Sequence, residues 1–292
     1  IFNSIKSSKV DQMSYFRKVA VKYEYEAYSG FSTQLELKAI NDEPTGKLYY
    51  IRNDGSETPN LIHDINTTEV GLTLRYAPGE QYINSKQRRS VINRNAPVFT
   101  LSHTLGVKGL FGGDYDFNLT EFSIFKRLWL ASWGRMDIRL RVGAQWNKVR
   151  CPLLATGPAI LSYFVQSGTF NLMNNMEFLN DRYASLDLDY DLNGKLLNRI
   201  PFLRRLKWRE HLGAKVMYGD LTEKNNPDLR PGDGDLFLFP TRNGHPSSFA
   251  MESNKPYVEI VAGIHNIFKI LQVEYVRRLT YLDHPDISKN GV

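Results

Sequence analysis

One cysteine stands in the 292 residues of this chain. Cys151 therefore has no partner for an internal disulfide, and a Cys-based zinc site is excluded. No stretch approaches the roughly 20 consecutive apolar residues that a membrane-crossing helix needs, so a helical membrane protein is excluded. Low-complexity tracts are missing, as are repeats at the roughly 20–50-residue periods of solenoids and propellers, and no linker divides the chain. Catalytic signatures are missing too: there is no HExxH, no Gly-x-Ser-x-Gly elbow and no P-loop. The six histidines (His63, His103, His211, His245, His265 and His284) show no ligand spacing. Ser102 and His103 are adjacent, which on a strand turns them to opposite faces and rules out a direct dyad. The net charge of +6 is modest and dispersed, so no nucleic-acid partner is expected.

What the sequence does have is alternation. Met136, Ile138, Leu140, Val142, Ala144 and Trp146 interleave with Asp137, Arg139, Arg141, Gly143 and Gln145. Ala184, Leu186, Leu188, Tyr190 and Leu192 interleave with Ser185, Asp187, Asp189 and Asp191. A period of two places each set on one face of a strand. The 16 Tyr, 16 Phe and 4 Trp suit both β structure and aromatic girdles at a membrane interface.

Read along the chain, the pattern predicts about ten strands. They fall near 15–28, 31–40, 67–77, 97–106, 115–128, 136–146, 184–192, 208–219, 256–265 and 269–281, the seventh with a start as early as Met176. In the fifth, Phe117 and Leu119 share one parity while Phe122 and Ile124 share the other, which predicts a bulge. Short connections at Ser29-Gly30, Trp133-Gly134 and Asn266 alternate with long ones near 41–66, 148–175 and 220–255. The stretch near 78–96 is the exception, being long on the short-turn side. Alternation alone also suits a soluble β-sandwich or a lipocalin-like barrel. Strand length, strand number and unequal loops favour a transmembrane barrel with lipid outside and water inside.

The fold expected is therefore all-β, an antiparallel transmembrane β-barrel in one domain over 1–292. The opening Ile1 and the closing Lys289-Asn290-Gly291-Val292 read as an internal piece of a longer barrel, so the expected sheet is open or gapped. Arg139, Arg141, Asp187, Asp189, Asp191 and Lys215 are the candidate lumen-facing charges. The aspartates could steer solutes or hold a cation; the favoured reading is a solvated face paired with Arg or Lys on a neighbouring strand, such as Arg139 and Arg141. Arg199, Phe202, Arg204, Arg205 and Trp208 lie in a basic, amphipathic segment and are the candidate membrane-interface residues. The Asp228–Asp235 stretch lacks the spacing of a calcium loop and is read as a turn. No catalytic, cofactor or metal residue is nominated.

Several segments together resemble a known family. They are Thr68-Glu69-Val70-Gly71-Leu72-Thr73-Leu74-Arg75-Tyr76, Pro97-Val98-Phe99-Thr100-Leu101, Gly112-Gly113-Asp114-Tyr115-Asp116 and Phe170-Asn171-Leu172-Met173-Asn174, followed by Glu177-Phe178-Leu179-Asn180-Asp181-Arg182-Tyr183 and Asn198-Arg199-Ile200-Pro201-Phe202-Leu203. As an ordered set over roughly 60–292 they resemble the C-terminal barrel of a Bacteroidetes outer-membrane family of uncharacterised function, whose members place a carboxypeptidase-regulatory-like domain before the barrel. That barrel is in turn similar to the surface-antigen (BamA-type) superfamily of sixteen-stranded barrels. The resemblance implies a Gram-negative outer-membrane location, lipid as partner, a periplasmic domain or other outer-membrane proteins as further partners, and a role in transport or outer-membrane biogenesis. The superfamily's assembly and secretion members carry a Val-Arg-Gly-Phe-like motif in a long loop inside the barrel. The corresponding loop here, about 148–175, lacks it, and Arg182 does not match, so that activity does not carry over. A non-conducting barrel that anchors a periplasmic domain is the second reading, and a barrel enzyme the third; a non-enzyme is expected.

Overall fold

Period-two alternation over long segments satisfies backbone hydrogen bonds only by pairing with neighbours, and the chain does this in strict sequence order. The computed structural model describes residues 12–27, 30–86, 89–92, 95–159 and 168–291. Eleven strands form one antiparallel sheet in which every strand pairs with the next in the chain. They are β1 (Gln12–Glu26), β2 (Phe31–Gly46), β3 (Ile65–Tyr76), β4 (Val98–Gly106), β5 (Phe117–Trp129), β6 (Arg135–Gln145), β7 (Arg182–Asp191), β8 (Arg209–Asp220), β9 (Tyr257–Ile267), β10 (Leu271–Arg278) and β11 (Asn290–Gly291). Among the described residues, β1 pairs only with β2 and β11 only with β10, so the described sheet is open.

Several expectations are corrected. Among the described residues the main sheet has eleven strands rather than about ten, because Asn290 and Gly291 pair with Arg277 and Val276; Val292 lies outside the described residues, as does Ser29 of the first turn. Strand β2 runs on to Gly46 rather than ending near residue 40, since β1 supplies a partner for each of those residues. The seventh strand starts at Arg182, not near Met176. The fifth has no bulge: its register against β4 and β6 is continuous from Phe117 to Trp129. Phe117 instead faces the covered side and is buried among loop residues, while Phe122 and Ile124 pair with Leu101 and Phe99 on the opposite face. Apolar residues thus occur on both faces of β5, because its covered face meets a hydrophobic loop core. The register shift that does exist lies between β9 and β10, at Ile264–Ile267.

The two sides of the sheet invert the order of a water-soluble protein. Leu72, Leu212 and Ile260 are 39%, 46% and 42% exposed, and Leu35, Val70, Leu101, Leu105, Tyr218, Val273 and Tyr275 are exposed as well. Glu259, Arg278 and Asp137, on the other face, are 0%, 1% and 5% exposed. Burying charge while leaving contiguous apolar surface bare is unfavourable in water and favourable in lipid.

The connections sort to two ends. At the turn end are Ala27–Gly30, 77–97, 130–134, 192–208 and 268–270; the long 77–97 connection folds into its own hairpin, Tyr82–Asn84 with Arg89–Val91. At the loop end, the connections 47–64, 146–181 and 221–256 share a hydrophobic core of Leu48, Tyr50, Val149, Cys151, Leu154, Met176, Leu179, Leu221 and Phe237, on which Ile65 and Phe117 close. Most of the protein's apolar core therefore lies in its loops.

Glycines on the covered face make room for aromatic rings. An added Cβ at Gly106 would fall 2.1 Å from the Phe117 ring, and one at Gly143 would fall 2.3 Å from Tyr183. Each ring belongs to the register partner of its glycine, a cover for backbone that a glycine leaves bare. Gly143→Ala is expected to push Tyr183 off its 2.5 Å hydrogen bond to Glu121. The cost of such overpacking is about 1–3 kcal/mol. A denaturant titration that finds no loss would show the ring free to move aside.

Candidate functional site

The covered face of β5 to β10 carries a ladder of paired charges, and one loop segment is bolted onto it. Antiparallel register sets the ladder. Arg127 lies opposite Asp137, and Arg139 opposite Asp187. The Arg127 guanidinium donates twice to Asp137, at 2.6 Å each, and Arg139 donates to Asp187 at 3.2 Å. Arg139 also stacks over Phe125 at 5.2 Å. Asp191 is 3.7 Å from Arg135, and Asp189 accepts from His211 at 2.7 Å. Asp187 and Asp191 thus pair with arginines across strands, while Asp189 takes a histidine. Arg141 faces Ser185 in register, so its guanidinium turns to the Gly168 carbonyl instead, at 3.2 Å.

That carbonyl opens the docked segment, Gly168–Asp181. Lys215 on β8 donates to the Thr169 carbonyl at 2.6 Å and to Asn171 Oδ1 at 3.0 Å. Glu259 on β9 accepts the backbone N–H groups of Asn171 and Leu172, both at 2.8 Å, and the Tyr257 hydroxyl at 2.5 Å. Leu172 packs on Val261 and Val276. Phe170, Met173 and Phe178 join Met217, Tyr257 and Tyr281 in a second buried cluster. Glu177 closes the segment. Its carboxylate receives Arg278 of β10 in a two-armed pair, at 2.6 and 3.0 Å, together with His284 Nδ1 at 3.1 Å and the Asn174 N–H at 3.0 Å. Burial opposes ionisation of Glu177, but the hydrogen bonds from His284 and Arg278 outweigh it and hold the carboxyl below the ordinary carboxylate range. Asp181 then ties this connection to the next, accepting from Asn225 Nδ2 at 2.8 Å and from the Thr222 N–H at 3.2 Å.

The other candidates are placed as follows. Pro201–Arg204 forms a single helical turn at the turn end. Arg199, Phe202, Arg204 and Arg205 are exposed there and Trp208 is half-buried. Exposed Phe268 and Ile270 occupy the neighbouring hairpin, joined through Asn266, which donates to the Lys207 carbonyl at 2.7 Å. Asp233 receives Lys148 at 2.7 Å, which accounts for one acid of the Asp228–Asp235 turn. His103 meets Thr120 rather than Ser102. Burial pushes the Cys151 thiol far above its usual range, so it is held as a neutral thiol.

Two sets of residues went unrecognised in the sequence. Glu259, Glu177 and Arg278 had no motif of their own, although Glu177 and the Phe170–Asn174 run stand inside the segments that carried the family resemblance. His211, His265 and Glu274 also converge, their ligand-capable atoms lying within 4.8 Å of one another. Their linear spacing is that of strand register, which no metal motif encodes.

An antiparallel sheet with a bare apolar face, a charged covered face and loops folded over that face defines a barrel-type β protein. A family model described as the C-terminal domain of a family of unknown function (DUF5686) matches residues 2–226, and the chain belongs to that family. The fold is similar to that of BamA from Haemophilus ducreyi, solved lacking POTRA domains 1-3, with a TM-score of 0.57 at 8% identity. That alignment covers 98% of this chain and 55% of the other, so this chain spans about half the length of that structure. No curated protein matches.

Proposed function

We propose that this chain is a membrane-embedded barrel module of a Gram-negative outer membrane. The observation that carries the reading is the inversion of the two faces, with Leu72, Leu212 and Ile260 bare and Glu259 and Arg278 enclosed. In a bilayer the apolar face is solvated by acyl chains, and charges belong on the enclosed side. The loop end faces outward, since outer-membrane barrels keep their short turns in the periplasm. Arg199, Arg204 and Arg205 then meet lipid phosphates at the periplasmic surface, with Phe202 and Trp208 at the acyl boundary. The Bacteroidetes family resemblance adds a preceding carboxypeptidase-regulatory-like domain on that side. Cell fractionation tests the location. The protein is expected in the outer-membrane pellet, extractable only with detergent; a folded, detergent-free periplasmic protein would overturn the reading.

Within that module, likeness to a BamA-type barrel supports a role in transport or outer-membrane biogenesis. The docked Gly168–Asp181 segment favours the second reading, a barrel that conducts nothing and anchors a periplasmic domain. That segment belongs to the loop corresponding to the one that carries the Val-Arg-Gly-Phe-like motif in the assembly and secretion members. Here the loop supplies the acid, Glu177, and the strand supplies the arginine, Arg278. Neither reading assigns catalysis. Planar-bilayer recording separates them: steady single-channel conductance supports transport, and a silent bilayer with inserted protein supports anchoring.

A further inference from the structure

On the covered face, one rung toward the turn end from Leu172, Val261 and Val276, four polar side chains from four consecutive strands meet. Asp189 comes from β7, His211 from β8, His265 from β9 and Glu274 from β10. Register explains the meeting. His211 lies opposite Gly263, and Gly263 lies opposite Glu274, so the residue between the histidine and the glutamate has no side chain. A Cβ there would stand 2.8 Å from Glu274 Cγ and 2.6 Å from the Val273 carbonyl. The imidazoles of His211 and His265 stack with centroids 4.4 Å apart and an interplanar angle of 21°. Both turn a nitrogen to the same oxygen: Glu274 Oε1 is 3.3 Å from His211 Nδ1 and 2.7 Å from His265 Nε2.

We propose that this cluster is a binding site for one divalent first-row transition-metal ion of the zinc class, held by His211 Nδ1, His265 Nε2 and the Glu274 carboxylate. Two observations beyond proximity support it. First, His211 is 8% exposed, and its Nδ1 has the Glu274 carboxylate beside it at 3.3 Å without the alignment of a hydrogen bond. A buried ring nitrogen held only by a long, poorly aligned contact is left under-satisfied, and an ion between it and the carboxylate would satisfy both. Second, its other nitrogen, Nε2, meets Asp189 Oδ1 at 2.7 Å. A carboxylate behind a histidine fixes the tautomer and aims the free nitrogen at a metal, the arrangement found around protein zinc. A tetrahedral ion with bonds of about 2.0–2.1 Å spaces its donors by about 3.3 Å. The His211–Glu274 separation already has that value; on binding, the His265–Glu274 contact would lengthen as the His265 proton is displaced, and the His265 ring would rotate out of its stack on His211 so that both in-plane lone pairs meet one ion. Two imidazoles and one carboxylate suit zinc and its neighbours rather than calcium or magnesium. Three protein ligands leave a fourth position for water. The ion would staple β8, β9 and β10 together, with Asp189 of β7 as a positioning residue.

The test is metal content of the detergent-purified protein, dialysed against micromolar Zn2+ at neutral pH and assayed by mass spectrometry of the metal. The wild type is expected to retain one Zn2+ per chain. His265→Gln and Glu274→Gln are expected to lose it, and Asp189→Asn to weaken it about 10–100-fold. His63→Gln, an exposed histidine at the loop end, should leave it unchanged. Heat-modifiable gel migration reports folding of each variant. Should His265→Gln and Glu274→Gln misfold, Co2+ loaded into the wild type decides: the intense visible bands of a four- or five-coordinate site support the proposal. The weak bands of octahedral aqueous Co2+ count against it, as do a wild type that retains no metal and a folded His265→Gln that retains it fully.

Discussion

Arg278→Met is expected to destabilise the protein by about 3–5 kcal/mol, the cost of leaving one member of a buried ion pair alone. Arg278 and Glu177 have side chains only 0% and 2% exposed, and the two-armed contact at 2.6 and 3.0 Å fixes both. With the guanidinium gone, Glu177 keeps His284 and the Asn174 N–H but must either stay charged in a dry site or take a proton. The double variant Arg278→Met/Glu177→Leu removes both charges, and is expected to recover most of the loss because apolar replacements of a buried pair are often neutral. Urea titration in lipid vesicles, followed by tryptophan fluorescence, measures all three proteins. Additive losses in the double variant would show that the two residues are not coupled. The same pair predicts a pH dependence. Glu177 has a lowered pKa in the folded state, so its contribution is present above the ordinary carboxylate range and is lost as pH falls through the lowered value. Protease access to the Gly168–Asp181 segment is therefore expected to rise in acid before the sheet itself unfolds. A segment that stays protected down to the pH at which the strands unfold would refute the lock.

The second large effect compares neighbours on one strand. Leu101 is exposed on the apolar face of β4, and Ser102 faces a polar cavity lined by Thr100, Glu121, Ser123, Arg141 and Tyr183. Leu101→Arg places a cation in the acyl region and is expected to cost about 2–4 kcal/mol near mid-membrane. Ser102→Arg places the same cation opposite Glu121, its register partner, and is expected to change stability by less than about 1 kcal/mol. Leu140 on β6 should respond as Leu101 does, since Ile138, Leu140 and Val142 are expected to face lipid. Folding titrations into lipid give both numbers. Equal costs at 101 and 102, or the reverse order, would overturn the assignment of faces.

Much of this was legible in the chain itself. Alternation at period two needs no partner to be seen, so Met136–Trp146 and Ala184–Leu192 declared their strands and their two faces. The charge of the polar face was legible for the same reason, and so was the basic, amphipathic character of the 199–208 segment. Where two periodicities overlapped, the reading failed. Phe117 looked like a phase error, because a sequence does not tell an aromatic residue facing lipid from one facing a loop core.

The sequence by itself determined an all-β chain of long amphipathic strands in sequential order, because strand parity is a local property of the backbone. Tertiary structure alone decided what the polar face holds. Glu259 meets Asn171 from 88 residues away, and Arg278 meets Glu177 across 101. His211, His265 and Glu274 meet because Gly263 falls between them in register. Register is set by the cooperative pairing of neighbouring strands, and loop docking by which buried charges find partners. Neither is written in any single segment, so only the folded sheet brings those residues together.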